Sequence, residues 1–276
     1  MPRGQEKRTG RAKSVPNLER GEDPWFRIVA ASAMMVVQRR TAAMPEESIP
    51  EPPRPHPHPG LFLALEGPDG GGKTTQAARL AAWLRCDGFD VVSCRDPGST
   101  EVGDRLREIV LDRDSVHLSV RSEMLIYMAS RAQLVDEVIR HSLAAGRVVI
   151  SDRFLLSNIV YQGFAGGLPV EDLWRVGQVA TAGLLPDLTL VLDVSAEAAR
   201  ARVGPARDRI EDRPAEYQRQ VRAGFVDAAG VHDGPGGLCP YYPAPLVLID
   251  AMGDPDAVFD QIKSEVQRVL ALGPRT

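Results

Sequence analysis

Residues Leu61 to Thr75 read LFLALEGPDGGGKTT. Leu61 to Leu65 form an unbroken apolar run into Glu66, as a buried strand does. Beyond the run, Thr75 to Leu84 (TQAARLAAWL) sets Ala78, Leu80, Ala81 and Leu84 at helical spacing. Between strand and helix, Gly67, Gly72, Lys73 and Thr74 complete the spacing G-x-x-x-x-G-K-T of a phosphate-binding loop. Gly67, Gly70, Gly71 and Gly72 lack Cβ atoms, so the backbone can turn successive N–H groups inward around a phosphate. A helix starting near Lys73 adds its positive dipole end. The expected nucleotide-phosphate site is Gly67, Pro68, Asp69, Gly70, Gly71, Gly72, Lys73, Thr74 and Thr75. Within it Lys73 supplies a point charge for the β- and γ-phosphates, and the Thr74 hydroxyl is placed for Mg²⁺. The competing reading is a Gly-rich turn ahead of a helix; the flanking elements and the Lys-Thr pair argue against it.

The chain has 276 residues and a net charge of −4, enough for one substantial core and with no overall pull toward nucleic acid. Cys86, Cys94 and Cys239 are odd in number and widely spaced, form no metal-ligand pattern, and fit a reducing, cytoplasmic setting. Residues 1–59 differ from the rest. Met1 to Arg20 is basic and polar, and Glu46 to Gly60 is dense in proline, so the arm is expected to be a disordered, Pro-rich extension of a domain over 60–276. Trp25 to Val37 is apolar, but about thirteen residues do not reach across a bilayer, which takes roughly twenty, and no membrane association is expected. It is too far from the terminus for a signal peptide; a short interfacial helix or an extension translated upstream of Met44 are the alternatives. His56 and His58, set among prolines, read as linker rather than as a metal site.

After the loop, Phe89 to Arg95 alternates as a second strand and ends in Asp96-Pro97-Gly98-Ser99-Thr100, a sharp turn. Helical patterns cover Glu101 to Leu111 and Val120 to Ala145, and in the latter Tyr127 and Arg131 share a face. Arg147 to Ile150 is a third strand ending in Ser151-Asp152-Arg153-Phe154. A carboxylate at that strand end is well placed to hold Mg²⁺, and Arg153 to reach a phosphate, unless the two are only a solvated pair. Ser157, Asn158, Tyr161 and Gln162 follow, able either to read a polar ring or to cap a helix. Leu188 to Val194 is the fourth strand, with Asp193 and Ser195 expected to start the next helix. Arg200, Arg202, Arg207, Arg209 and Arg213 form the most basic run, read as a solvated helix face or, given the Gly204-Pro205 break, as a mobile cover over phosphates. Helices over Glu211 to Ala229 and Asp254 to Leu272 flank a fifth strand, Leu246 to Asp250. Strands alternating with helices predict a parallel, five-stranded sheet with helices on both faces.

In order, GPDGGGKT, RDPGST, LIYMASRAQ, SDRFLLSNIVYQG, PDLTLVLDV and an Arg-rich segment ending DRIE resemble the bacterial thymidylate kinases over Leu61 to Leu272. The resemblance implies a three-layer P-loop NTPase fold and a Mg²⁺-requiring homodimer that uses ATP to phosphorylate thymidine monophosphate (dTMP). It implies that Tyr127 stacks on thymine, Arg131 contacts the base or the phosphate end, and Asn158 and Gln162 lie along the nucleotide. Tyr161 would crowd the 2′ position, and Asp69 would orient the monophosphate and sugar. Asp96 stands where the family usually has Glu, and Ser99 where Gly is common; the shorter acid would move a Mg²⁺ or phosphate contact. Thr74 and Asp152 would serve the metal. Lys73, Arg153 and the lid arginines Arg202, Arg207 and Arg209 would carry catalysis, because Gly70 and Gly71 leave the loop without an arginine. Another nucleoside or nucleoside monophosphate kinase is the nearest rival. A GTPase would need an Asn-Lys-x-Asp signature, which neither Asn17 nor Asn158 begins.

Overall fold

A computed structural model describes residues 56–112, 117–203, 209–230 and 242–271. Its strands are β1 (Leu61–Glu66), β2 (Val91–Arg95), β3 (Val148–Asp152), β4 (Leu188–Asp193) and β5 (Leu246–Asp250). All pair in parallel in the order β2-β3-β1-β4-β5. In register, Leu65 lies beside Asp152 and Asp152 beside Arg95, so three strands end at one level and release their loops into one crevice.

The strands are mainly apolar because both faces of the sheet are covered. Phe62, Ala64, Val149 and Val191 join one core with Met128, Phe154, Leu155 and Phe225. Leu63, Leu65, Val148, Ile150, Leu190 and Leu192 join a second with Leu80, Leu84, Ile262 and Val266. The second core belongs to α1 (Lys73–Cys86) and the closing helix α8 (Pro255–Ala271). Around the first stand α3, which runs Val120–Leu134 and continues through a π-helical turn Val135–Ile139 into Arg140–Ala144, then α4 (Leu155–Asn158, continued by the π-helical Ile159–Phe164), α5 (Val170–Thr181) and α7 (Ala215–Ala228). The remaining helices are α2 (Glu101–Leu111) and α6 (Ala196–Val203). Thr100 Oγ1 caps α2 by accepting from Gly103 N at 2.9 Å, and Ser119 Oγ caps α3 by accepting from Ser122 N at 3.1 Å. Among the described residues no helix is long and apolar enough to cross a membrane.

Three details depart from the sequence reading. The helix expected from Glu211 starts at Ala215, because Pro214 has no N–H to donate within a helix and occupies its N-cap. Ser195 caps α6, its Oγ accepting from Ala198 N at 3.2 Å, but Asp193 does not join it. Instead Asp193 accepts Arg222 Nε and Nη2 at 2.7 and 2.9 Å, tying β4 to α7. Finally, the histidine expected in a linker is 4% exposed and bound to the domain. His56 Nδ1 accepts the His58 N–H at 3.3 Å, so Nε2 carries the proton it donates to Asp187 Oδ2 at 2.9 Å. The same Asp187 oxygen accepts Phe62 N at 2.8 Å, which links the entry segment to the start of β1. The remainder of the arm, residues 1–55, lies outside the described residues.

At the other end of β1, Glu66 is fully buried. Its Oε1 accepts Phe154 N (2.8 Å) and Ser157 N (3.2 Å), and its Oε2 accepts Ser157 Oγ (2.5 Å). One carboxylate therefore fixes the loop after β3 and the first turn of α4 against β1. Burial pushes its pKa up to about 6, against the pull of those hydrogen bonds and of Arg153.

These two anchors generate distinct expectations. His56→Ala should lower the unfolding free energy by about 1–2 kcal/mol in urea denaturation, whereas a chain starting at Pro53 should keep the full-length melting temperature. For Glu66, a folded-state pKa raised from 4.5 to about 6 means that its protonated form favours folding below pH 4.5 and that this contribution is lost as pH rises through about 6. Glu66→Gln retains the geometry, with Oε1 accepting both N–H groups and Nε2 donating to Ser157. Urea titrations across that window should show the variant gaining about 2 kcal/mol on the wild type.

Candidate active site

The loop between β1 and α1 owes its path to glycine. Gly67, Gly70 and Gly72 have φ of 129°, 77° and 87°, in the left-handed region. Two also meet backbone: a Cβ on Gly67 would lie 2.5 Å from Leu192 O, and one on Gly70 2.3 Å from Ala199 O. The first turn of α6 thus sits directly on the loop. Lys73 is buried and donates from Nζ to Pro68 O at 2.7 Å, which folds its ammonium back under the loop. Burial first, and the charge of Arg153 second, lower its pKa to about 8, while Asp69, Asp152 and Glu66 pull upward. Thr74 Oγ1 donates to Asp152 Oδ2 at 2.6 Å.

Arg153 joins the loop to the crevice beyond it. Its Nη1 donates to Gly67 O (2.9 Å) and Ser157 Oγ (3.0 Å), and its Nη2 to Asp69 Oδ1 and to Tyr161 OH. Tyr161 OH in turn donates to Asp69 Oδ2 at 2.9 Å. Burial raises the pKa of Tyr161 well above its ordinary value, so the phenol keeps the proton it donates. For Asp69 burial works upward, but Arg153, Lys73 and the two hydrogen bonds outweigh it and hold the carboxyl below the usual range.

Two clefts meet at this pair. The larger, of about 1140 Å³, is lined by Asp69, Gly70, Gly71, Gly72, Lys73, Thr74, Thr75, Asp152, Arg153 and Arg202 among others. The smaller is lined by Asp69, Asp96, Tyr127, Arg131, Arg153, Asn158, Tyr161 and Gln162, so every residue expected to hold the acceptor faces one space. Asp69, Asp96 and Arg153 line both. Within the smaller cleft Arg131 is buried and bound on all sides: Nε donates to Asp96 Oδ2 (2.5 Å), Nη1 to Met128 Sδ (3.2 Å) and Nη2 to Phe154 O (3.2 Å). Asp96, expected to touch phosphate or metal, lines both clefts and is the counter-ion of Arg131, and burial raises its pKa against that pairing.

The basic run divides. Arg202 lines the larger cleft and donates from both Nη atoms to Ala251 O at 3.1 Å. Arg209 turns away from that cleft, donating to Val110 O from Nε (3.0 Å) and Nη2 (2.8 Å) and to Glu123 from Nη2 (2.7 Å). Arg207 lies outside the described residues. The sequence reading passed over Arg95 and Arg107, which line the larger cleft, and the buried Glu66 and Glu123, which hold Ser157 and Gln162 of the smaller one. Glu123 had a legible signal: it sits four residues before Tyr127 and eight before Arg131, on the same helical stripe.

The family described as Thymidylate kinase matches residues 65–234 of this chain. A thymidylate kinase of Rhodopirellula baltica is 45% identical over 175 residues, which is 63% of this chain and 71% of that protein. One of Caldanaerobacter subterraneus subsp. tengcongensis is 41% identical over 212 residues, covering 76% and 97%, and one of Synechococcus sp. (strain JA-3-3Ab) 42% over 218 residues, covering 78% and 100%. With a phosphate loop, a second cleft joined to it through Asp69 and Arg153, and matches of this extent, the chain belongs to the thymidylate kinase family.

Proposed function

We propose that this chain transfers the γ-phosphoryl group of ATP to thymidine monophosphate, giving thymidine diphosphate. The observation that carries the reading is Arg153, whose single guanidinium holds both the phosphate loop, through Gly67 O, and the acceptor-side pair Asp69 and Tyr161. In-line transfer needs donor and acceptor phosphates in adjoining spaces, and Asp69 and Arg153 line both clefts.

The acceptor oxygen is already anionic at neutral pH, so charge neutralisation and positioning carry the rate rather than a strong base. The loop amides and Lys73 hold the β- and γ-phosphates of ATP, and their charge offsets what burial costs the Lys73 ammonium. Arg153 and Arg131 neutralise the acceptor side, Asp69 orients the sugar, and Tyr161 lies against it. Arg202 faces the donor cleft as the described lid arginine nearest this role. Tyr127 supplies an aromatic face for the base. Asn158 supplies a buried carbonyl oxygen with no partner among the described residues, an acceptor suited to the N3–H of thymine.

Thr74 and Asp152 would hold Mg²⁺. Their oxygens are 2.6 Å apart at the larger cleft, and an oxygen pair completed by phosphates and water suits this hard cation. Bound there, Mg²⁺ neutralises charge on the ATP phosphates. The free thiols of Cys86 and Cys94 support a cytoplasmic setting. A homodimer is supported by exposed apolar side chains on helices packed side by side: Val102 and Ile109 on α2, Leu125 on α3 and Val179 on α5.

A coupled ADP-release assay across the nucleoside monophosphates should give the highest kcat/KM with dTMP; preference for a ribonucleotide would defeat the reading. Lys73→Ala should lower turnover by about 10²–10³-fold or more while the circular dichroism spectrum is kept. In sedimentation velocity, the pair Leu125→Asp and Val179→Asp should convert a dimer into a folded monomer.

A further inference from the structure

Glu123 is 0% exposed and sits behind the acceptor cleft, on the stripe of α3 that also carries Tyr127 and Arg131. Its Oε2 accepts Arg209 Nη2 at 2.7 Å and Arg213 Nη2 at 2.6 Å. Its Oε1 accepts Gln162 Nε2 at 2.7 Å. A carboxylate between two guanidiniums has acceptors alone to offer, so Gln162 must turn its amide NH₂ toward it. That leaves Gln162 Oε1 facing Asn158, where it accepts Asn158 Nδ2 at 2.7 Å. Asn158 must therefore turn its own NH₂ inward and its Oδ1 outward. This oxygen belongs to a side chain that is 1% exposed and lines the cleft, and it has no hydrogen-bond partner among the described residues.

Each link in this relay excludes the flipped amide of the next, because two carbonyl oxygens or two NH₂ groups would otherwise meet in a buried space. We propose that Glu123 is a positioning residue that sets base selectivity: its charge fixes the polarity of the Gln162–Asn158 relay so that the cleft presents a hydrogen-bond acceptor to the base. The inference rests on the thymidylate kinase reading given above. Thymine and uracil both carry N3–H and satisfy this acceptor, whereas cytosine offers a lone pair at N3 and is repelled. The same carboxylate pins Arg209 and Arg213, so segment 209–213 docks where the relay begins and holds its origin rigid. A glutamine at 123 would present either a donor or an acceptor to Gln162, releasing both amides to flip.

The test compares kcat/KM of the full chain for dTMP, dUMP and dCMP. In Glu123→Gln the dTMP-over-dCMP preference should fall about tenfold or more, with the change in KM, while the dTMP-over-dUMP preference stays at its wild-type value. Gln162→Met cuts the relay without touching the arginine pair and should give the same pattern, so it decides the matter if Glu123→Gln fails to fold. Wild-type dTMP-over-dCMP ratios in the folded variants would overturn the proposal. So would an equal loss of both preferences, which would mean general loosening of the cleft. A wild-type chain inactive on dTMP would instead overturn the function reading itself.

Discussion

The whole site hangs on Arg153 and on the backbone that aims it. Its φ of 70° lies in the left-handed region, which costs a residue with a Cβ roughly 1–2 kcal/mol. Such strain survives where surrounding contacts over-determine the conformation. Arg153 N donates to Leu65 O at 2.9 Å, holding the peptide to β1, while the side chain reaches Gly67 O, Asp69, Ser157 and Tyr161. The turn that points this guanidinium between the clefts is also the turn whose next N–H, that of Phe154, is accepted by Glu66. Strain at one residue is thereby offset by the buried carboxylate that ends β1.

The charges around it form one interdependent set. Burial lowers Lys73 to about 8 and raises Glu66 to about 6 against the pull of their opposite-charged neighbours, whereas at Asp69 the charges of Arg153 and Lys73 outweigh burial and hold the carboxyl low. The cluster is built for an anion that arrives with the substrate. An anion beside Lys73 would supply the compensation that its own surroundings give incompletely, in a site where such interactions are stronger than in water.

The fold was readable because its signals are local. Five apolar runs with helical patterns between them specify a parallel sheet, and the phosphate loop is contiguous in sequence. The residues of the smaller cleft were readable as a set for a related reason: Tyr127 and Arg131 share a helix face, and Asn158, Tyr161 and Gln162 share another. What sequence did not disclose is the partner of each long polar side chain. Asp193 next to Ser195 looks like a cap, yet Arg222 on a helix that begins far downstream takes it in a bidentate grip. His56 among prolines looks like linker until Asp187, which enters β4, is brought beside the first residues of β1. Pairings of this kind are decided by sheet order, which no local window contains.

The arginine-rich run shows the same limit with a functional consequence. Its spacing treats the arginines as one lid, but the fold distributes them between two tasks. Arg202 lines the larger cleft, while Arg209 and Arg213 give their charge to Glu123, which holds Gln162 of the smaller one. Electrostatic complementarity between this run and α3 therefore braces the smaller cleft with elements about ninety residues apart, Arg209 and Arg213 lying 86 and 90 positions from Glu123.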